Sequence, residues 1–371
     1  MKIIKAGESH GRAVMGILTD VPAGITVSEN SINNLLAERS KAFGRSERQL
    51  LESDRVDLIT GLRDGKTIGN NVGVVINNAV HGDYATVMHP FNADMQSMKI
   101  TALRPGHADI PGVQRFGFSD ARSVLEGASA RNTAVDVALG AIAISMLDQL
   151  NVNLSSFVRG VGNARDESAY TFEQIADVTA PFFSANEQFV KLAKAEVEGC
   201  KNAGDSLGGR IEIRIKGIKA GFGSYVAEKR VDSLIAQHIM QIQAVKGLNF
   251  GSKSVLENRG SAYCDRVEIV GDKLNVKGCN SGGIDGGMTN GGEIVLTVDV
   301  KPIPTVACGV ETIDIQSKKS ALSARERADV TAVFALCPIL KSAVAVALCT
   351  AIAERIGCDN MQSLIKRYND L

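Results

Sequence analysis

Residues 211–216, Ile-Glu-Ile-Arg-Ile-Lys, alternate strictly between apolar and charged. The isoleucines fall on one face and the charges on the other, as in a half-buried strand of a sheet with one solvated face. Ile294–Val300 alternates in the same way and residues 73–76 are continuously apolar, so both predict strands. Helical signals are interspersed with these. Ser28 stands as an N-cap before a polar-rich helix reaching Glu38. Ala130, Ala134, Val137, Ala138, Ala141 and Ile142 recur at helical spacing, and their small side chains predict a helix whose neighbours approach closely. Residues 332–353 are almost all apolar, about the 20 residues a membrane span needs. Pro338 and Lys341 in mid-segment would be costly in lipid, so the segment reads as a buried core helix.

Two turns look alike: residues 21–25, Val-Pro-Ala-Gly-Ile, and residues 218–222, Ile-Lys-Ala-Gly-Phe. Each follows a strand and precedes a helix, which suggests a weak internal duplication. Strands and helices mix without the regular rhythm of βαβ units, so an α+β architecture is expected. Residues 81–103 carry no period and read as a long irregular segment, the kind of loop that serves as a lid or stays disordered. With no clear linker, residues 1–371 read as a single domain, or as two pseudo-repeated halves.

Composition narrows the function. The 371 residues are 44% hydrophobic, and a chain of this length buries roughly 75% of its unfolded surface. Its 41 basic and 41 acidic residues cancel, so it offers no overall field for nucleic acid or an anionic membrane, and any anion site must be a local cluster. The seven cysteines include no CxxC pair, which gives neither a disulfide framework nor a zinc site. The N-terminus lacks a secretory pattern, so a cytoplasmic location is expected.

Several short segments carry chemistry. Gly7-Glu8-Ser9-His10-Gly11 sets a histidine and a serine between glycines; alone, it reads equally as an ordinary hydrogen-bonded histidine. Arg104-Pro105-Gly106-His107-Ala108-Asp109 offers a second histidine beside an arginine, or simply a surface turn. Arg39, Arg45 and Arg48 form either a solvated basic face or a clamp for a polyanion. Ser129 and Arg131 open a helix, where an anion is favoured. Residues 280–292 hold six glycines, a flexible loop or a platform on which a planar ring or phosphate lies.

Taken in order along the chain, these segments together resemble chorismate synthase, as a divergent member near the Gram-positive bacterial type. The resemblance also takes in Pro22 to Gly24, Gly204 to Gly209, Lys246-Gly247, Lys301 to Thr305, and Arg327 with Asp329. It implies a β-α-β sandwich with a helical core between sheets, a homotetramer, and a lyase using reduced FMN. The implied reaction removes phosphate from C3 and hydrogen from C6 of 5-enolpyruvylshikimate 3-phosphate, with NADPH as a candidate reductant. His10, His107 and Asp329 would be catalytic. Ser9, Arg39, Arg45, Arg48, Arg104, Arg131 and Arg327 would hold the small-molecule substrate. FMN would lie on Ser129, Gln243, Ala244, Gly286, Lys301, Pro302, Ile303, Pro304, Thr305 and Arg327, with no metal.

The pattern departs from the family around residues 127–136, where Gly127, Ala128 and Asn132 stand for an arginine, a serine and a glutamate, and Asp136 for an arginine. Gln243, Ala328 and Val330 are further differences. Two other readings stay open: a flavin enzyme of the same fold acting on another enolpyruvyl or cyclohexenyl phosphate, and a non-catalytic flavin-binding subunit.

Overall fold

The computed structural model describes residues 1–45, 54–252, 254–324 and 328–371. Its first half runs β1 (Lys2–Gly7), β2 (Ala13–Thr19), α1 (Glu29–Ser40), β3 (Asp57–Thr60), the small hairpin β4 (Leu62–Arg63) and β5 (Lys66–Thr67), then β6 (Val72–Asn77). After an irregular stretch come α2 (Asp109–Phe116), α3 (Arg122–Ala128) and the central helix α4 (Thr133–Asp148). The second half repeats the plan with β7 (Asn153–Val161), β8 (Ala164–Arg165), α5 (Glu187–Asn202), β9 (Gly209–Lys216), α6 (Val231–Met240) and β10 (Val245–Phe250). An exposed arm, β11 (Arg266–Val270) and β12 (Lys273–Lys277), precedes the hairpin β13 (Ile284–Asp285) and β14 (Met288–Thr289), then β15 (Ile294–Val300). A last hairpin, β16 (Glu311–Asp314) and β17 (Lys319–Leu322), leads to the central helix α7 (Val333–Ile356) and to α8 (Met361–Asn369).

Two antiparallel sheets enclose the helices. Strand order is β1-β2-β6-β3 in one and β10-β15-β9-β7-β8 in the other. Helix α4 packs on β2 and β6, α7 packs on β7 and β9, and the two helices pack on each other. This is the expected α+β sandwich with a helical core. The duplication is legible in the topology: β1, β2, β6 and β3 take the places that β7, β9, β15 and β10 take in the other sheet. The matching hairpins turn on Asp64-Gly65 and Gly286-Gly287, whose φ values of 47°, 67°, 57° and 85° are those of a two-residue turn with both central residues left-handed.

Close contact between the central helices depends on a missing side chain. A Cβ on Gly140 of α4 would stand 2.2 Å from the Cβ of Ser342 on α7. Further along both helices, the Cys349 thiol donates to the Ala143 carbonyl at 3.3 Å. Contacts therefore advance together, and the two helices run parallel.

Helix α7 is long and apolar enough to cross a membrane, yet nearly all its side chains are buried against protein. The core-helix expectation holds. Two local expectations need correction. The small-residue helix starts at Thr133 rather than Ala130, because Ala130–Asn132 form a 3-10 turn after an extended Ser129. The charged face of β9 is not left to water: Glu212 is buried, accepting from Arg159 at 2.7 Å and Arg214 at 2.6 Å. Arg159 also donates to the Asp166 and Ser168 carbonyls of a segment laid over that face.

Candidate active site

Both central helices direct their N-termini to one end of the sandwich. Arg39, in the last turn of α1, donates from Nε to Thr133 at the start of α4 at 3.1 Å, while Val330, just before α7, donates its N–H to the Gly44 carbonyl shortly after α1. Two helix N-termini with unpaired N–H groups and positive dipole ends favour negative charge there. The C-terminal end of β1 delivers Ser9 and His10 to the same place. That of β15 delivers Lys301 to Thr305.

Each predicted histidine is held through Nδ1 by a buried carboxylate. His10 Nδ1 lies 2.8 Å from Glu126 Oε1, and its backbone N–H donates to Glu126 Oε2 at 2.8 Å. The ring stacks on Tyr84 at 4.0 Å between centroids. Arg122 donates to the same carboxylate at 2.6 Å. Burial alone would raise the Glu126 pKa, but the hydrogen bonds and charges of His10 and Arg122 win and lower it. His107 Nδ1 lies 2.6 Å from Asp109 Oδ1. Arg104 grips that carboxylate in bidentate fashion, at 2.8 Å from both Nε and Nη2. Burial again opposes, and His107 and Arg104 hold the Asp109 carboxyl well below the usual range. An ionised carboxylate only accepts, so each Nδ1 is the donor and Nε2 is left to face a ligand.

Arginines converge around these pairs. Asp54 accepts from Arg131 at 2.6 Å and from Arg39 at 3.3 Å. Arg45 pairs with Asp329 at 3.5 Å. Burial lowers the Arg39 pKa and the Arg45 and Arg131 charges add to that, with Asp54 acting against them. Crowded guanidinium groups at two helix N-termini form a site short of negative charge. Ser129 donates to Ser9 Oγ at 3.0 Å and accepts from the Arg131 N–H at 3.2 Å.

The second half joins through backbone. Gln243 Nε2 donates to the Ser129 carbonyl at 3.4 Å, and the Lys301 N–H donates to the Ala244 carbonyl at 2.9 Å. Lys301 Nζ reaches the Gly106 carbonyl, and Arg104 donates to Thr305 at 3.0 Å. Pro302, Ile303 and Pro304 complete that segment, with Ser206 donating to the Ile303 carbonyl at 2.7 Å. Among the described residues, Arg45 Nε, Asn132 Oδ1 and Gln243 Oε1 are buried without a hydrogen-bond partner.

Gly286 does not join them within one chain. Its hairpin packs on the strand-to-helix turn of the second half, where the Gly221 N–H donates to the Thr289 carbonyl. That turn in turn meets Arg355 near the C-terminus of α7. About 33 Å of helix separates Arg355 from the N-terminus of α7. Arg48 and Arg327 lie outside the described residues. Sequence reasoning gave no role to Glu126, Asp54, Asn78, Tyr84 or Arg122. The 2.6 Å bond from Arg131 to Asn78 and the Tyr84 stack join segments far apart in sequence, so no local pattern signals them.

Two carboxylate-held imidazoles beside crowded guanidinium groups suit an enzyme that works on an anionic small molecule. The family model described as chorismate synthase matches residues 1–353. The chain is 34% identical over 378 residues to a chorismate synthase of Caldicellulosiruptor saccharolyticus, covering 100% of this chain and 99% of that protein. It is 36% identical over 380 residues to one of Thermus thermophilus, with 100% and 99% covered. A crystal structure of chorismate synthase superposes with a TM-score of 0.78 at 27% identity, covering 100% of this chain and 96% of that one. This chain belongs to the chorismate synthase family, enzymes that are carbon–oxygen lyases acting on phosphates.

Proposed function

We propose that the chain converts 5-enolpyruvylshikimate 3-phosphate to chorismate by 1,4-elimination of phosphate, using reduced FMN. The observation that carries this reading is the placement of both carboxylate-held histidines at one anion-favouring end of the helical core.

The residues present fit the cofactor. The orphaned buried atoms of Asn132 and Gln243 are ready to meet polar ring edges. Burial and the neighbouring Lys246 ammonium lower the Lys301 pKa, a crowding that a phosphate would relieve. Ser129, Gln243, Ala244 and Lys301 to Thr305 would hold FMN. When bound, reduced FMN supplies an electron-rich ring that assists departure of the phosphate and takes up the C6 hydrogen.

The chain's own groups divide the remaining work. Arg39, Arg45, Arg104 and Arg131, with Arg48 and Arg327, bind the two carboxylates and the phosphate of the substrate, and Ser9 adds a hydroxyl. His107, with Nδ1–H given to Asp109, delivers a proton from Nε2 to the leaving phosphate. His10, backed by Glu126, bears on the anionic cofactor. Asp329, paired with Arg45, passes the abstracted proton onward.

On the same reading the working form is a cytoplasmic homotetramer, with NADPH a candidate source of electrons. A flavin contact at Gly286 then comes from a neighbouring copy. The exposed apolar face of the first sheet, with Ile4, Met15, Ile17 and Ile59 at its surface, supports self-association. The test is an anaerobic assay with reduced FMN and the named substrate, following chorismate and phosphate. Turnover should appear in the wild type and fall about 10²–10⁴-fold in His107→Ala, with FMN binding retained. Absence of chorismate from the wild type overturns the reading.

A further inference from the structure

A cavity of about 240 Å³ lies between α1, α7, the start of β7 and the loop over residues 176–179. None of the residues assigned to the active site lines it. Lys341, one of the few charges on α7, lines this cavity. Among the described residues it has no hydrogen bond and no ion pair, and burial lowers its pKa. Glu38, half-buried, and Asp177, exposed on the covering loop, line the same space and likewise have no such partner among the described residues. Burial raises the Glu38 pKa, with Lys341 acting against it.

A half-buried ammonium without a hydrogen-bonded partner is costly, and here the three carboxylates whose charges act on it, Glu38, Asp148 and Asp177, stand off beyond contact. A lone anion entering the cavity would satisfy Lys341 but meet Glu38 and Asp177. A lone cation would satisfy the carboxylates and leave Lys341 unpaired. A ligand carrying both charges meets the ammonium and the carboxylates together. The hydroxyls nearby leave acceptor capacity: Ser155 Oγ donates to the Ile175 carbonyl at 2.6 Å and Ser156 Oγ to the Cys337 carbonyl at 2.8 Å, so each oxygen still accepts a ligand N–H. The other walls are apolar, from Leu35, Val178, Phe183 and Pro338.

We propose that this cavity binds a small zwitterion, an α-amino acid with an apolar side chain, its carboxylate on Lys341 and its ammonium between Glu38 and Asp177. The volume sits just below the range of about 300–1,000 Å³ usual for drug-sized ligands, which suits an amino acid.

The experiment is calorimetric titration of the full-length protein, without flavin, against L-valine, L-leucine and L-phenylalanine. The amine and the carboxylic acid bearing the side chain of the best binder are titrated alongside. At least one amino acid should bind, and the amine and the acid should each bind about tenfold or more weakly, since each forfeits a charge-assisted contact. Lys341→Met keeps the apolar stem and should lose about tenfold or more in affinity, as should Asp177→Asn on the covering loop should the first variant fold poorly. No binding by any of the three amino acids overturns the proposal. So does equal binding of the amine or the acid, or unchanged affinity in the folded variants. Because no flavin or substrate is present, failure here leaves the elimination assay untouched.

Discussion

Thr67 and Thr289 perform the same task in the two halves of the chain. Thr67 Oγ1 donates to the Pro22 carbonyl at 2.6 Å and accepts from the Ile25 N–H at 2.9 Å. Thr289 Oγ1 donates to the Lys219 carbonyl at 2.7 Å and accepts from the Phe222 N–H at 3.0 Å. The backbone carbonyl of each threonine accepts from a turn glycine, Gly24 for Thr67 and Gly221 for Thr289. Both threonines are buried, so the hydroxyl satisfies two backbone groups that water does not reach.

Thr67→Val and Thr289→Val should therefore each destabilise the fold by about 1–3 kcal/mol, the cost of leaving buried polar groups unpaired. The two sites share no contacts, so the double variant should show roughly the sum. Urea unfolding midpoints of the three variants check this. A neutral effect at either position would remove the threonine as the pin of its turn.

Glu126 holds His10 and Arg122 at once, so its charge matters to both activity and stability. Glu126→Gln should reduce turnover by about tenfold or more, because the two carboxylate oxygens that take the His10 ring and backbone N–H groups become one oxygen and an amide donor. It should also destabilise the fold, since Arg122 is left as a buried unpaired charge. Adding Arg122→Met should recover stability while turnover stays low. Denaturation curves and steady-state rates of the single and double variants separate the two effects.

Gly127 stands where the family usually carries an arginine, and a Cβ built there meets nothing within 4 Å. Gly127→Arg is thus sterically open at its base and should tighten FMN binding by up to about tenfold, given the worth of a hydrogen bond to a charged group less the ordering of a long side chain. Chorismate formation should persist or rise. Anaerobic FMN titration of wild type and variant, with substrate present, is the measurement. Weaker binding would mean that the site is shaped for another ligand.

Asp109 and Glu126 both have folded pKa values below their ordinary ones. The unfolded chain then binds more protons than the folded one in mild acid, so this stability is present above the ordinary carboxylate range near about 4 and is lost as pH falls below it. Asp109→Asn should flatten the fall of unfolding free energy with decreasing pH. Equally steep curves for wild type and variant would show that Asp109 does not carry the effect.

The strands at 211–216 and 294–300 and the buried helix at 332–353 were legible because side-chain alternation and apolar runs report burial residue by residue. The like turns near Gly24 and Gly221 betrayed the repeat, and short motifs marked His10, His107 and the arginines. Glu126, Asp54 and Tyr84 were not legible, since hydrogen bonds and ring stacks between distant segments leave no period in the chain. The glycine-rich stretch shows the limit most clearly. Glycine density signals freedom of the backbone but not its use, and Gly286 occupies a hairpin turn that Asp64 fills in the first half. The sequence by itself determined the elements, the repeat and the chemical groups available. Only the tertiary structure decided that two parallel helix N-termini collect those groups at one end while Gly286 lies at the other, because position along a folded chain follows from packing, which local pattern does not encode.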